Sequence, residues 1–136
     1  MATRAIELKD YALTKKYKIP ATKAVTVGFR VKFSGADDQI ENCGANEDGF
    51  AIALQSGVAG EEVEVLLEGF AVAKVKVGTG GATRGLFAKF LADGFTDQAI
   101  ADGATVRNLA GKFLQSGVVG DFVGLLLGAA TPKSTA

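Results

Sequence analysis

The sequence predicts a mainly β fold, a small sandwich or barrel (jelly-roll-like) of short antiparallel strands built from two pseudo-repeats, with an extended N-terminal arm. Three observations point there. Glycine makes up 18 of 136 residues, against a usual share of about 7%, and it punctuates short apolar runs, as in folds rich in tight turns and bulges. Several of those runs alternate apolar with polar residues, the period of a half-buried strand. A fifteen-residue stretch also recurs: residues 54–68 match residues 114–128 at nine positions, 60 apart. A chain of this length is one domain.

The repeat sets the frame. Leu54-Gln55-Ser56-Gly57-Val58-Ala59-Gly60-Glu61 returns as Leu114-Gln115-Ser116-Gly117-Val118-Val119-Gly120-Asp121. Upstream, Gly28-Phe29-Arg30-Val31-Lys32-Phe33 parallels Gly85-Leu86-Phe87-Ala88-Lys89-Phe90, and Asp38-Gln39-Ile40 parallels Asp97-Gln98-Ala99-Ile100. The spacing drifts from 57 to 60, which loop insertions explain. The halves fall at about 24–76 and 81–130 of a single β domain spanning 24–130. Two copies are too few for a solenoid, so each half is expected to cover the apolar face of the other.

The elements follow in order. Residues 1–23 hold six bases, two acids, two tyrosines and one of the two prolines, and read as a basic N-terminal arm. Tyr11 to Tyr17 is one place for a short helix, and Asp102 to Leu109 is another. Val25, Val27, Phe29, Val31 and Phe33 alternate with polar residues or glycine and predict one strand. Ser34 to Asp38 is a turn. Phe50 to Gln55 is a short strand. Val63, Val65 and Leu67 mark the next, and residues 71–77 alternate again with Lys74 and Lys76 outward. A tight turn at Gly69 would set Glu64 opposite Lys74 and Glu62 opposite Lys76, each pair worth about 0.2–1 kcal/mol. One long bent strand keeps the same parity, so both arrangements stay open. Gly85 to Leu91 fits a strand or a helix, and its counterpart 28–33 argues for strand. Val123 to Leu127 is apolar without alternation, as in a strand buried on both faces. Residues 131–136 are a small, polar, flexible tail. The nine phenylalanines fall mostly at inward strand positions and are expected in the core.

Composition removes most catalytic chemistry. With no histidine there is no Ser-His-Asp or Cys-His machinery and no His-bearing zinc site. The single cysteine, Cys43, forms no internal disulfide, and its polar Glu41-Asn42-Cys43-Gly44 setting reads as an inert thiol. Gly78-Thr79-Gly80-Gly81 runs into Ala82-Thr83-Arg84 rather than Lys-Ser/Thr, so it is a turn between the halves, not a phosphate loop. The acidic pairs Asp37-Asp38, Glu47-Asp48 and Glu61-Glu62 fit no calcium-loop frame and read as a solvated acidic face. The expectation is no enzyme, with no catalytic residue, cofactor, metal, nucleic acid or small-molecule substrate.

The net charge of zero conceals three blocks. Residues 1–34 sum to +6, residues 35–70 to −9 with no base at all, and residues 71–136 to +3. Either the blocks form opposed faces or they mix once folded. Opposed faces favour self-association into a dimer or trimer, with Glu61, Glu62 and Glu64 of one copy meeting Lys74 and Lys76 of another. Met1 to Pro20 carries no signal-like apolar run. Val118 to Ala130 is interrupted by Asp121 and falls short of the ~20 residues a bilayer needs. The chain is therefore expected to avoid membranes and to stay in the compartment where it is made.

Val58-Ala59-Gly60-Glu61-Glu62-Val63-Glu64-Val65, followed by Glu68-Gly69, resembles the small head-decoration (cement) proteins of tailed bacteriophages, and so does Val118-Val119-Gly120-Asp121-Phe122-Val123. In that family a glycine-rich β domain with this Gly-acid-x-Val turn often follows an N-terminal arm. The resemblance covers about 24–128. It implies a virion protein, made in the host bacterial cytoplasm, that binds the outer capsid surface at symmetry axes and stabilises the shell by bridging major capsid protein subunits. It implies no catalysis and no cofactor, and it transfers neither oligomeric state nor individual contacts. On this view the arm lies on the capsid protein, with Arg4, Lys9, Lys15, Lys16 and Lys18 facing its acids. The rival readings are a non-viral cytoplasmic β-rich interaction or scaffold module, and a small enzyme working with carboxylates alone.

Overall fold

Alternating side chains become strands where a sheet can bury one face, and here almost every alternating run does so. The structure is a computed structural model and describes residues 14–45, 47–68, 72–98 and 109–127. Every regular element among the described residues is a strand, as the sequence predicts: β1 (Thr14–Lys18), β2 (Ala24–Val25), β3 (Arg30–Ser34), β4 (Ala36–Asn42), β5 (Ala51–Ala53), β6 (Gly57–Val58), β7 (Glu62–Leu67), β8 (Val72–Lys76), β9 (Phe87–Leu91), β10 (Gly94–Gln98), β11 (Leu109–Phe113) and β12 (Phe122–Leu127).

The duplication is visible in the pairing. The first half runs β1-β4-β3-β5-β7, with β7 pairing back onto β1. Its seam, between β1 and β4, is one parallel pair, Lys18 to Gln39. It is thus a sheet rolled until it touches itself, not a barrel hydrogen-bonded all the way round. The second half runs β10-β9-β11-β12-β8. Its ends meet at an equivalent parallel bridge, Val77 to Phe95. The small β2–β6 ladder pairs Val25 with Gly57, and Ala82 bridges Gly117 in the same place.

This equivalence extends the repeat beyond what the identities reveal. β8 stands to β12 as β1 stands to β7. The first unit therefore starts by Thr14 rather than near 24, and β8 opens the second unit rather than closing the first. Residues 14–18 of the expected arm are a sheet strand, paired along their whole length with β7, and are not helical. Residues 1–13, most of the second candidate helix (102–108) and the tail 131–136 lie outside the described residues.

Two local expectations need correction, and one open alternative is settled. The run from Val25 to Phe33 is two strands, β2 and β3, broken at Gly28, whose φ of +81° suits glycine. The turn predicted over 34–38 contracts to Gly35 (φ +75°), so Asp37 and Asp38 lie in β4. Of the two arrangements left open around Gly69, a β7–β8 pair is not the one formed: β7 lies between β1 and β5, while β8 pairs with β12.

Two apolar clusters fill the molecule. One holds Tyr17, Ile19, Val25, Val31, Ile40, Ala51, Ala53, Val63 and Val65, the interior of the first half. Its open end is closed by Phe33 stacked on Phe50 at 4.0 Å, with Tyr17 edge-on to both. The other combines the inward side of the second sheet, with Val75, Phe90, Phe95, Phe113, Val123 and Leu125, with Phe29, Cys43, Ile52 and Leu66 from the first. β5 is buried on both faces, with Ala51 and Ala53 in one cluster and Ile52 in the other. The halves also meet at Gly28, whose carbonyl accepts the Lys76 N–H at 3.1 Å, and at Phe29, edge-on to Phe90 at 5.2 Å.

Gly28 and Gly60 separate two costs of replacing glycine. Both have left-handed φ, +81° and +89°, but Gly60 has open space around it. A Cβ at Gly28 would lie 2.6 Å from the Phe122 ring and 2.9 Å from the Lys76 nitrogen. Gly60→Ala should cost about 1–2 kcal/mol, the left-handed penalty alone. Gly28→Ala should cost about 1–3 kcal/mol more through overpacking at the joint. Urea unfolding of both variants checks the order, and equal losses would refute the close approach.

Candidate functional site

The repeated motif is the first place to look for chemistry, and its polar atoms are used inside the fold. Gln55 Oε1 accepts the Glu64 N–H, and Gln115 Oε1 accepts the Gly124 N–H. Ser56 Oγ accepts the Val27 N–H, and Ser116 Oγ accepts the Arg84 N–H. The acid ending the motif closes its own turn: Glu61 Oε1 accepts the Val58 N–H, and Asp121 Oδ2 accepts the Val118 N–H. Each turn then docks on a strand end, through Ile19 in the first half and Val77 in the second. Asn42 and Asp97 tie down Thr26 and Thr83 in the same manner. Loop backbone groups need such partners when the sheet supplies none. The motif is a set of staples, and the Gly-acid signature marks a turn.

The glycine run 78–81 is likewise a turn. Asp93 accepts hydrogen bonds from the Thr79 N–H and hydroxyl, which lower its pKa. Cys43 is buried, and burial pushes its thiol up to about 12, so it is no thiolate at neutral pH.

The charged residues singled out from the sequence are partly rearranged. Arg4 and Lys9 lie outside the described residues. Lys15, Lys16 and Lys18 are exposed on β1. Lys15 carries its amine 5.2 Å from the Tyr17 ring centre. Lys16 stands directly opposite Glu64, and Lys18 opposite Glu62. Glu62 and Glu64 therefore stand opposite lysines, but those of β1. Lys74 and Lys76 sit instead opposite Gly124 and Phe122 on β12. The Lys74 amine reaches Gln115 Oε1 at 3.0 Å, and the Lys76 amine lies 6.0 Å from the Phe29 ring centre. Glu61 is bound in its own turn, and nothing brings Glu62 or Glu64 to Lys74 or Lys76 within one copy.

The first two charge blocks largely mix in space. Lys23 meets Glu41 at 3.5 Å and Lys32 meets Glu47 at 2.8 Å. Glu47 is held low by Lys32 and by the Gly44 N–H, and Glu41 by a Ser34 hydrogen bond and then Lys23. Arg30 anchors the rest. Its guanidinium is buried and grips Glu68 with two nitrogens at 2.9 and 3.1 Å, with Asp48 at 3.6 Å. The sequence offered no sign of this pair, because Arg30 and Glu68 are 38 residues apart on alternating strands where either residue type suits a solvated face. Burial raises the Glu68 pKa, and Arg30 opposes that rise.

Removing Arg30 should therefore leave a partly buried, unpaired carboxylate. Arg30→Met is expected to cost about 3–5 kcal/mol at pH 7. Without the guanidinium the folded-state pKa of Glu68 rises further above its unfolded value. Protonation then favours the folded variant, so its deficit against the parent should shrink as pH falls from 7 towards 4.5. Glu41, Glu47 and Asp93, all held low, make both proteins lose stability in acid, so only the difference is informative. Urea midpoints at several pH values test this, and a pH-independent deficit would count against it.

No family model matches the chain, and no curated protein matches it. Among solved structures it is similar to the head fiber gp8.5 N base of bacteriophage phi29, with a TM-score of 0.65 and 13% sequence identity, over 85% of this chain and 93% of that one. At that identity the likeness is one of fold: the two proteins share a β architecture over nearly their full lengths.

Proposed function

We propose that this chain is a structural protein of a tailed-bacteriophage virion, seated on the outer surface of the head. There it binds the major capsid protein and stabilises the shell by bridging its subunits. The observation that carries this reading is the fold likeness to a phage head fiber base across 85% of the chain. It meets the sequence resemblance to head-decoration proteins, which rests on different evidence, the Gly-acid turns at Gly60-Glu61 and Gly120-Asp121.

The physical character of the molecule supports such work. Two rolled sheets share a core through Phe29, Ile52 and Leu66, and the loops are pinned by side-chain hydrogen bonds. A bridging element under load gains from that rigidity, because binding then orders little that is not already ordered.

The test is electron microscopy of particles made with and without this gene. The expected result is density for the rolled-sheet pair on the outer head surface, present only with the gene, and earlier rupture on heating when it is missing. Heads of identical surface and identical heat resistance would overturn the reading.

A further inference from the structure

The two halves share one fold but present different outer faces. In the first, the outward positions of β1 and β7 are charge-matched, Lys16 facing Glu64 and Lys18 facing Glu62. The equivalent positions of the second half keep the lysines and drop the acids: Lys74 faces Gly124 and Lys76 faces Phe122. The next pair diverges too. Thr14 opposite Leu66 becomes Val72 opposite Leu126. Leu66 is 6% exposed and joins the shared cluster, whereas Val72 is 56% and Leu126 40% exposed.

This face carries charge of a single sign. β8, β9, β11 and β12 contain no acidic residue, and their charged residues are Lys74, Lys76, Lys89 and Lys112, all at outward positions between inward ones. Apolar side chains left in water beside lysines that face no acid across the sheet are what a partner-covered surface presents. The charge calls for a partner of opposite sign.

We propose that the outer face of the second sheet, centred on Val72, Leu126, Lys74 and Lys112, is the surface by which this protein docks on an acidic, partly apolar patch of the shell protein. The inference rests on the head-surface function above and names the contact. The first half, with its matched lysines, then faces solvent.

The probe is purified heads made without this protein, mixed with added full-length protein and separated on a gradient. The Lys74→Gln, Lys112→Gln double variant is expected to bind at least tenfold more weakly than the parent, and Leu126→Gln similarly. Lys16→Gln with Lys18→Gln, the equivalent lysine pair on β1, should stay within twofold. Parent binding should weaken as salt rises. Melting temperatures establish that each variant is folded. If the parent binds and the Lys74, Lys112 variant binds equally, the proposed face is wrong. If that variant instead shifts the sedimentation of the free protein, the face joins copies of this chain, and the shell protein is the wrong occupant. If the parent does not bind heads at all, the head-surface function fails rather than the choice of face.

Discussion

The structure depends on one strand being buried on both sides. β5 places Ala51 and Ala53 in the interior of the first half and Ile52 in the cluster shared with the second. β7 repeats the pattern, with Val63 and Val65 on one side and Leu66 on the other. A three-residue strand with two methyl side chains is slight, yet it is the wall between two cores. The small residues let the rolled sheet close tightly, and the large one anchors the neighbouring half. Half a chain of this size buries only about 60% of its unfolded surface and is marginal by itself. Sharing a wall lets both halves count the same strand.

The glycine-rich loops would undo such an arrangement if they were merely loose, since glycine loses the most conformational freedom on folding. The chain compensates with side chains acting as backbone partners. Gln55, Ser56 and Glu61 each accept a backbone N–H, and Gln115, Ser116 and Asp121 do the same work in the second half. This explains why that octapeptide stayed nearly identical between the halves while strands diverged. An apolar strand position accepts many side chains of similar size. A hydrogen-bonding staple needs one atom at one distance.

The same reasoning separates what the sequence made legible from what it hid. The duplication was readable because the staples preserve identity, and the β class because alternation and glycine agreed. The equivalence of β1 and β8 was hidden because Thr14 to Lys18 and Val72 to Lys76 share only Lys16 and Lys18 against Lys74 and Lys76, 58 residues apart, and pairing needs nothing more. The break at Gly28 was hidden because alternation continues across it, and only the approach of Lys76 and Phe122 demands glycine there. For Glu62 and Glu64 the sequence left the partner strand open. Parity tells which side a residue faces, but the partner strand is set by long-range topology, and β1 and β8 offer the same Lys-x-Lys pattern. The Arg30–Glu68 pair was invisible for a related reason. Burial of a charge is decided by what closes over it, which no local pattern records.

The internal repeat supplies its own control. The two halves share strand order, seam and staples, so differences between their outer faces are not imposed by the fold. The half that contributes Ile52 and Leu66 to the shared core has its lysines balanced by Glu62 and Glu64, and its excess acids are drawn to Lys23, Arg30 and Lys32. The other half has Phe122 and Gly124 where the first has glutamates, opposite Lys76 and Lys74. Losing a carboxylate opposite a lysine forfeits only about 0.2–1 kcal/mol on an exposed face, so stability alone exerts little pull either way. Exposing a phenylalanine and two aliphatic side chains in its place adds nothing to stability in water and invites aggregation. A face that gives up matched charge for apolar surface has a use outside its own chain.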